Sequence, residues 1–237
     1  MDVVKYPQEV RRMQITWIGQ AGLLIDTGKI KIMVDPYLSD SVAKVNPKNR
    51  RRVPVKEALF EEAPDMIVLT HDHLDHLDPE TLPRLLDTER ALTVLAPYHA
   101  WQKARKFGGN HNYVMFNRGT EWTQGGVTFM AVKAEHSDLT AIGFILDDGI
   151  EKLYITGDTL YNAEIFKDLP ADIDAVFLPI NGVGNNMNIT DAKRFARKTG
   201  AKWAVPIHWG MFDALDPAGF DLENAVIPAI YKEVKYK

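Results

Sequence analysis

The stretch Met66-Ile67-Val68-Leu69-Thr70-His71-Asp72-His73-Leu74-Asp75-His76 places an apolar run directly before three imidazoles and two carboxylates. Four apolar residues in succession read as a strand buried on both faces, and the turn that follows can aim several side chains at one point. Imidazole nitrogen and carboxylate oxygen are donors that divalent metals accept. The segment therefore reads as a metal site with donors enough for two ions.

Upstream of this stretch, Gln14 to Ile18, Gly22 to Asp26 and Ile30 to Asp35 read as three consecutive strands, with Thr27-Gly28-Lys29 as a tight turn. Between them and the motif, Ser39 to Pro54 is polar, holds two prolines and clusters Lys48, Arg50, Arg51 and Arg52, the composition of a long surface loop. A short helix is expected over Lys56 to Glu62. Downstream, the pattern predicts a helix over Pro79 to Thr88 capped by Asp78, a strand over Ala91 to Ala96, and a helix over Tyr98 to Phe107 closed by Gly108-Gly109.

The second half gives strands over Tyr113 to Phe116, Val127 to Lys133, Thr140 to Asp147 and Lys152 to Thr156. Ala175 to Leu178 and Trp203 to Pro206 then flank a helix over Asp191 to Lys198, with Thr190 as its cap and Gly200 at its end. Two β-rich halves that each finish in α/β units imply an α/β fold in which sheet packs on sheet with helices outside, a four-layer αββα sandwich. At 237 residues the whole chain, 1–237, is expected to form one domain.

Composition narrows the function classes. The 28 basic and 32 acidic residues leave a formal charge of −4, which argues against long nucleic acids or an anionic membrane as partner. The absence of cysteine excludes disulfides, thiolate zinc sites and a cysteine nucleophile. Met1 to Arg12 has no apolar leader segment and no run approaches eighteen apolar residues, so the expectation is a cytoplasmic protein.

The chain has seven histidines, His71, His73, His76, His99, His111, His136 and His208. Three stand in the opening motif. His136 and His208 follow predicted strands, as does Asp158 in Thr156-Gly157-Asp158-Thr159, and loops at the ends of buried strands are where such folds gather functional groups. His99 and His111 lie outside these positions and are assigned to surface or helix. Asp72 is expected to be a turn residue or to orient a ligand histidine rather than to bind metal itself.

His71-Asp72-His73-Leu74-Asp75-His76 resembles the HxHxDH signature of the metallo-β-lactamase superfamily, and His136, Asp158 and His208 follow in that superfamily's order. The resemblance implies that His71, His73 and His136 hold one divalent ion, that Asp75, His76 and His208 hold another, and that Asp158 bridges them. Asp75, His76, Asp158 and His208 are then the catalytic positions. Trp17-Ile18-Gly19-Gln20-Ala21-Gly22, Asp35-Pro36-Tyr37-Leu38-Ser39-Asp40, Leu178-Pro179-Ile180-Asn181-Gly182 and Pro206-Ile207-His208-Trp209-Gly210-Met211-Phe212 look most similar to the L-ascorbate-6-phosphate lactonase group. That likeness tilts the metal towards manganese, whereas the nitrogen and oxygen donors alone suit zinc, manganese and iron.

Two such ions can lower the pKa of a bridging water from about 15.7 to about 7, giving a hydroxide nucleophile. No serine nucleophile is needed, and no Gly-x-Ser-x-Gly elbow occurs. The leading expectation is a lactonase-like hydrolase of a small phosphorylated sugar lactone or ester. A phosphodiesterase or nuclease of the same fold is the enzymatic alternative, and a non-catalytic metal-binding protein the other. Candidate substrate contacts are Arg50 and Arg52 as a phosphate clamp, Asn181 and Asn185 on a Gly/Asn-rich loop, and Trp209 beside a ligand. For the basic cluster a solvated surface loop is the favoured reading over the clamp, the Gly/Asn segment reads equally as a plain turn, and a homo-oligomer is compatible with the sequence.

Overall fold

Apolar strands that alternate between two buried environments organise the molecule. In the computed structural model, which describes residues 12–236, Leu23 and Ile25 of one strand face the centre while Leu24 between them faces outward, and Met66 and Val68 face the centre while Ile67 faces outward. Each such strand is buried on both faces, which requires a layer on each side of it. The expectations for Met1 to Arg11 fall outside the described residues.

The first sheet is built from β1 (Gln14–Gly19), β2 (Gly22–Asp26), β3 (Lys31–Val34), β4 (Met66–Val68), β5 (Thr93–Ala96) and β6 (Asn112–Met115), in that spatial order. Its first three strands run antiparallel and β3 to β6 run parallel. The second sheet holds β7 (Glu121–Gln124), β8 (Val127–Lys133), β9 (Ile142–Asp147), β10 (Lys152–Ile155), β11 (Ala175–Pro179) and β12 (Trp203–Ile207), antiparallel as far as β10 and parallel from there to β12. A short β13 (Lys232–Glu233) pairs with the free side of β1.

Residues such as Trp17, Ile32, Phe129, Phe144, Phe177 and Val205 fill the space between the sheets. The outer face of the first sheet is covered by α2 (Thr81–Leu86) and α3 (Tyr98–Ala104), through Leu82, Leu85, Leu86, Ala100 and Ala104. The outer face of the second is covered by α4 (Ile189–Thr199), through Ala192, Phe195 and Ala196. This is the expected αββα sandwich, the metallo-β-lactamase fold.

Several local expectations are corrected. The stretch 39–54 is not plain loop: it contains a short helix, α1 (Ser41–Val45), and a 3-10 turn at Pro47–Asn49 that the Asn46 side chain caps. Thr190 does not cap α4; the Asn188 side chain accepts the Asp191 N–H two residues earlier, and Gly200 ends the helix with a left-handed φ of 70° as expected. Asp78 serves the turn before α2, accepting from the Glu80 N–H and the Thr81 hydroxyl, rather than capping the helix. The edge strand β7 was not anticipated, because Glu-Trp-Thr-Gln carries one apolar side chain and half-buries it.

Candidate metal centre

All the strands that precede the marked residues deliver them to one end of the sandwich. Val34 and Val68 are paired in the β3/β4 ladder, so the residues after them, Asp35 and Leu69-Thr70, emerge side by side. The Thr70 carbonyl accepts the Ile142 N–H of the second sheet at 3.0 Å, which ties the two sheets together just before His71. Across the gap, β8 leads to His136, β10 to Asp158 and β12 to His208.

The seven expected ligands converge. Donor atoms of His71, His73 and His136 lie within 4.8 Å of one another, as do those of His71, His76 and Asp158, and those of Asp75, His76 and His208. His73 Nδ1 is 3.2 Å from His136 Nε2, and His76 Nε2 is 3.3 Å from His208 Nε2. Asp158 stands between the groups, with Oδ1 3.4 Å from His76 Nε2 and Oδ2 3.2 Å from His208 Nε2. Asp75 Oδ2 is 3.4 Å from His208 Nε2. His71 and His76 are fully buried, while the Asp75 side chain is 18% exposed, so Asp75 lies on the open side.

Asp35 arranges two of the imidazoles. Its Oδ2 lies 2.8 Å from His76 Nδ1, so a proton sits on Nδ1 and Nε2 faces the centre. The same carboxylate accepts the Thr70 N–H at 2.8 Å and the Thr70 hydroxyl at 2.5 Å. With its only hydrogen committed there, the Thr70 oxygen accepts from His71 Nδ1 at 3.1 Å, which leaves the His71 Nε2 lone pair pointing inward. On the other side, the Asn185 carbonyl faces His136 Nδ1 at 3.3 Å and the Asn186 amide donates to Asp158 Oδ2 at 2.8 Å. The Asn181 amide lies 3.0 Å from His208 Nδ1, its orientation following the histidine tautomer.

The donors fit divalent metal. His71 Nε2 is buried with no hydrogen-bond partner, an orphaned polar atom that is costly unless a cation satisfies it, and Asp158 Oδ1 is buried with no hydrogen bond, facing only His76 Nε2 at 3.4 Å. Electrostatics divides the imidazoles. Burial, with the neighbouring His76 charge, pushes His71 well below its ordinary value, and burial lowers His136 as well. Burial opposes a charge on His76 and His208 too, but Asp158 and its neighbouring carboxylates outweigh it, holding His76 well above normal and raising His208 to about 9. Those two histidines in turn keep Asp75 and Asp158 ionised against the effect of burial. The result is a cluster in which His71 and His136 are held neutral while His76 and His208 are held protonated by two ionised carboxylates, positive charge that a bound cation would replace.

Other marked residues fall elsewhere. Asp72 does not orient a ligand: its carboxylate pairs with Lys103 at 2.6 Å, and its backbone N–H is held by Asp138. His99 bonds to that same Asp138 at 2.7 Å, and His111 bonds the backbone at Leu86 and Leu92. Trp209 is half-buried; its indole N–H donates to the Pro206 carbonyl and its ring packs on Trp17 at 5.0 Å. Asn181 is engaged by His208, whereas the Asn185 side chain is exposed. Arg50 is exposed beside Asp40, and Arg52 is exposed on a segment whose backbone N–H bonds Met211, three residues after His208. Arg51, not singled out from the cluster, is structural: its guanidinium bonds the carbonyls of Tyr37 and Val53 and the Tyr231 hydroxyl.

The fold and the converging histidines and aspartates define a metallo-β-lactamase-type protein. The chain belongs to the beta-lactamase superfamily domain family, which it matches over residues 31–209. It is 28% identical to a UPF0173 metal-dependent hydrolase of Thermoplasma acidophilum, over 95% of this chain and all of that one. It is 26% identical to N-acyl-phosphatidylethanolamine-hydrolyzing phospholipase D 1 of Caenorhabditis elegans over 83% of this chain, and spans 64% of that protein. It also spans 66% of the length of uncharacterized mycobacterial relatives. Igni18, a metallo hydrolase of Ignicoccus hospitalis, has the same fold at a TM-score of 0.75 and 20% identity, covering 95% of this chain and 99% of that one.

Proposed function

We propose that the chain acts as a single-domain metal-dependent hydrolase with two divalent ions, His71, His73 and His136 holding one, Asp75, His76 and His208 the other, and Asp158 shared between them. The observation that carries this reading is the pair of buried atoms without a hydrogen bond, His71 Nε2 and Asp158 Oδ1, in the group that shares His71 and His76 with the other two. Manganese, zinc and iron all suit the donor set. When bound, such ions acidify water and polarise an electrophilic oxygen.

The protein groups supply order and exclusion. Asp35 fixes which nitrogens of His71 and His76 face inward, so these side chains need no rearrangement to bind. The Asn186 amide donates to Asp158 Oδ2 and so favours its inward orientation. Asp75, on the open side, can accept a hydrogen bond from the attacking water and so aim it.

The substrate class we favour is a small phosphorylated ester or lactone. Arg52 supports this: it is exposed, its segment borders the His208 loop, and its guanidinium makes no hydrogen bond or ion pair among the described residues, leaving it for an anion. A phosphodiester substrate is the second reading, favoured by the likeness to the phospholipase of C. elegans. Hydrolysis of phosphorylated sugar lactones, simple esters and phosphodiesters by protein loaded with manganese or zinc tests both. Turnover of a lactone or ester with loss in Arg52→Ala supports the first, turnover of phosphodiesters alone supports the second, and two bound metal ions without turnover of any substrate overturn the hydrolase reading.

A further inference from the structure

The β1–β2 turn approaches the centre with a residue that neither the histidine motif nor its spacing marks. Gln20 is 2% exposed and its amide nitrogen lies 2.6 Å from Asp75 Oδ2 and 3.2 Å from His208 Nε2. Its backbone is tied in as well: the carbonyl accepts the His208 N–H at 2.8 Å and the Trp17 indole N–H at 2.9 Å. One residue thus touches two of the three ligands assigned to one ion, from both its side chain and its main chain.

The local backbone is held in costly conformations to achieve this. Gln20 has φ 52° and His208 φ 59°, left-handed values that non-glycine residues rarely adopt. Gly19 before it has φ 98°, which a residue with a Cβ adopts only under strain, and a Cβ there would sit 2.5 Å from the Met211 terminal methyl, which would have to move.

We infer that Gln20 is a positioning residue for the Asp75, His76 and His208 half of the centre. The inference rests on the two-ion reading given above. The identity of the amide end follows from Asp75: only the NH2 group can stand 2.6 Å from a carboxylate oxygen, so Gln20 donates there. That bond fixes the direction of the Asp75 carboxylate at Oδ2, the oxygen that also faces His76 and His208, while the Gln20 carbonyl holds the His208 backbone in its strained turn. His71, His73 and His136 receive nothing from Gln20, so its removal should act on one ion and spare the other.

Calorimetric titration of the metal-free full chain with Mn2+ tests this. Wild type should bind two ions; Gln20→Met, which keeps the volume and removes the donor, should bind the first unchanged and the second about 10- to 100-fold more weakly. Gln20→Asn, whose residue type tolerates the left-handed backbone but whose amide is one methylene short of Asp75, should do the same and guards against a folding failure of the first variant. Two unchanged affinities in either folded variant overturn the inference alone, equal weakening of both ions overturns the assignment to one half, and a wild type that binds fewer than two ions overturns the two-ion reading beneath it.

Discussion

Asp158 is the residue on which the centre turns, since its two oxygens face His76 and His208 separately. Asp158→Ala should abolish turnover and leave the circular dichroism spectrum intact, because the side chain lies beyond β10 and outside the three apolar clusters. Asp35 acts at one remove. Asp35→Asn should weaken metal binding by about 10- to 100-fold, as an amide facing Thr70 and His76 no longer selects the inward-facing tautomers. Protonation supplies a third expectation at this scale. In metal-free protein His208 titrates near 9, so at pH 7 it is charged and must lose its proton before Nε2 can bind. Metal uptake at pH 7 should release protons, seen as a dependence of the calorimetric heat on buffer ionisation enthalpy, and affinity should fall as pH drops below about 9. The same raised pKa stabilises the metal-free fold below the unfolded value of about 6.5, a contribution lost as pH rises through 9.

Elements carry these residues because the strands end together. Gly157, between β10 and Asp158, has φ 59°, and a Cβ on it would lie 2.7 Å from the Ile142 carbonyl and 2.8 Å from Thr70 Cβ. Gly157→Ala should lower unfolding free energy by about 1–3 kcal/mol in urea titration and displace Asp158, with reduced metal affinity. Most strands were legible in the sequence since apolar runs of four or more are their signature, and Met66–Val68 and Val127–Lys133 fall where the pattern puts them. The histidine and aspartate cluster was legible because its members follow those strands. What surrounds it was not: Gln20, Asp35 and Asn186 reach the ligands from turns distant from them in sequence, 28 residues for Asn186 and Asp158, 41 for Asp35 and His76. A lone aspartate closing an apolar strand, as Asp35 closes β3, is the one signal that could have pointed to it. For Trp209, adjacency to His208 along the chain gave no sign of its contacts with Trp17 and the Pro206 carbonyl.

At the scale of the whole molecule, the centre sits where the two sheets are joined, so it should contribute to holding them together. Among the described residues no helix is long and apolar enough to cross a membrane. Stripping metal with a chelator should lower Tm and restore four buried, like-facing imidazoles to mutual repulsion or protonation, and adding Mn2+ or Zn2+ back should raise Tm in proportion to the logarithm of free metal. The account's central claim, two ions in one cradle, is tested most directly by anomalous diffraction at the absorption edge of the loaded metal. Two peaks are predicted, one among His71, His73 and His136 and the other among Asp75, His76 and His208, with Asp158 touching both. A single peak, or density centred instead on Asp72, His99 and Asp138, would contradict it.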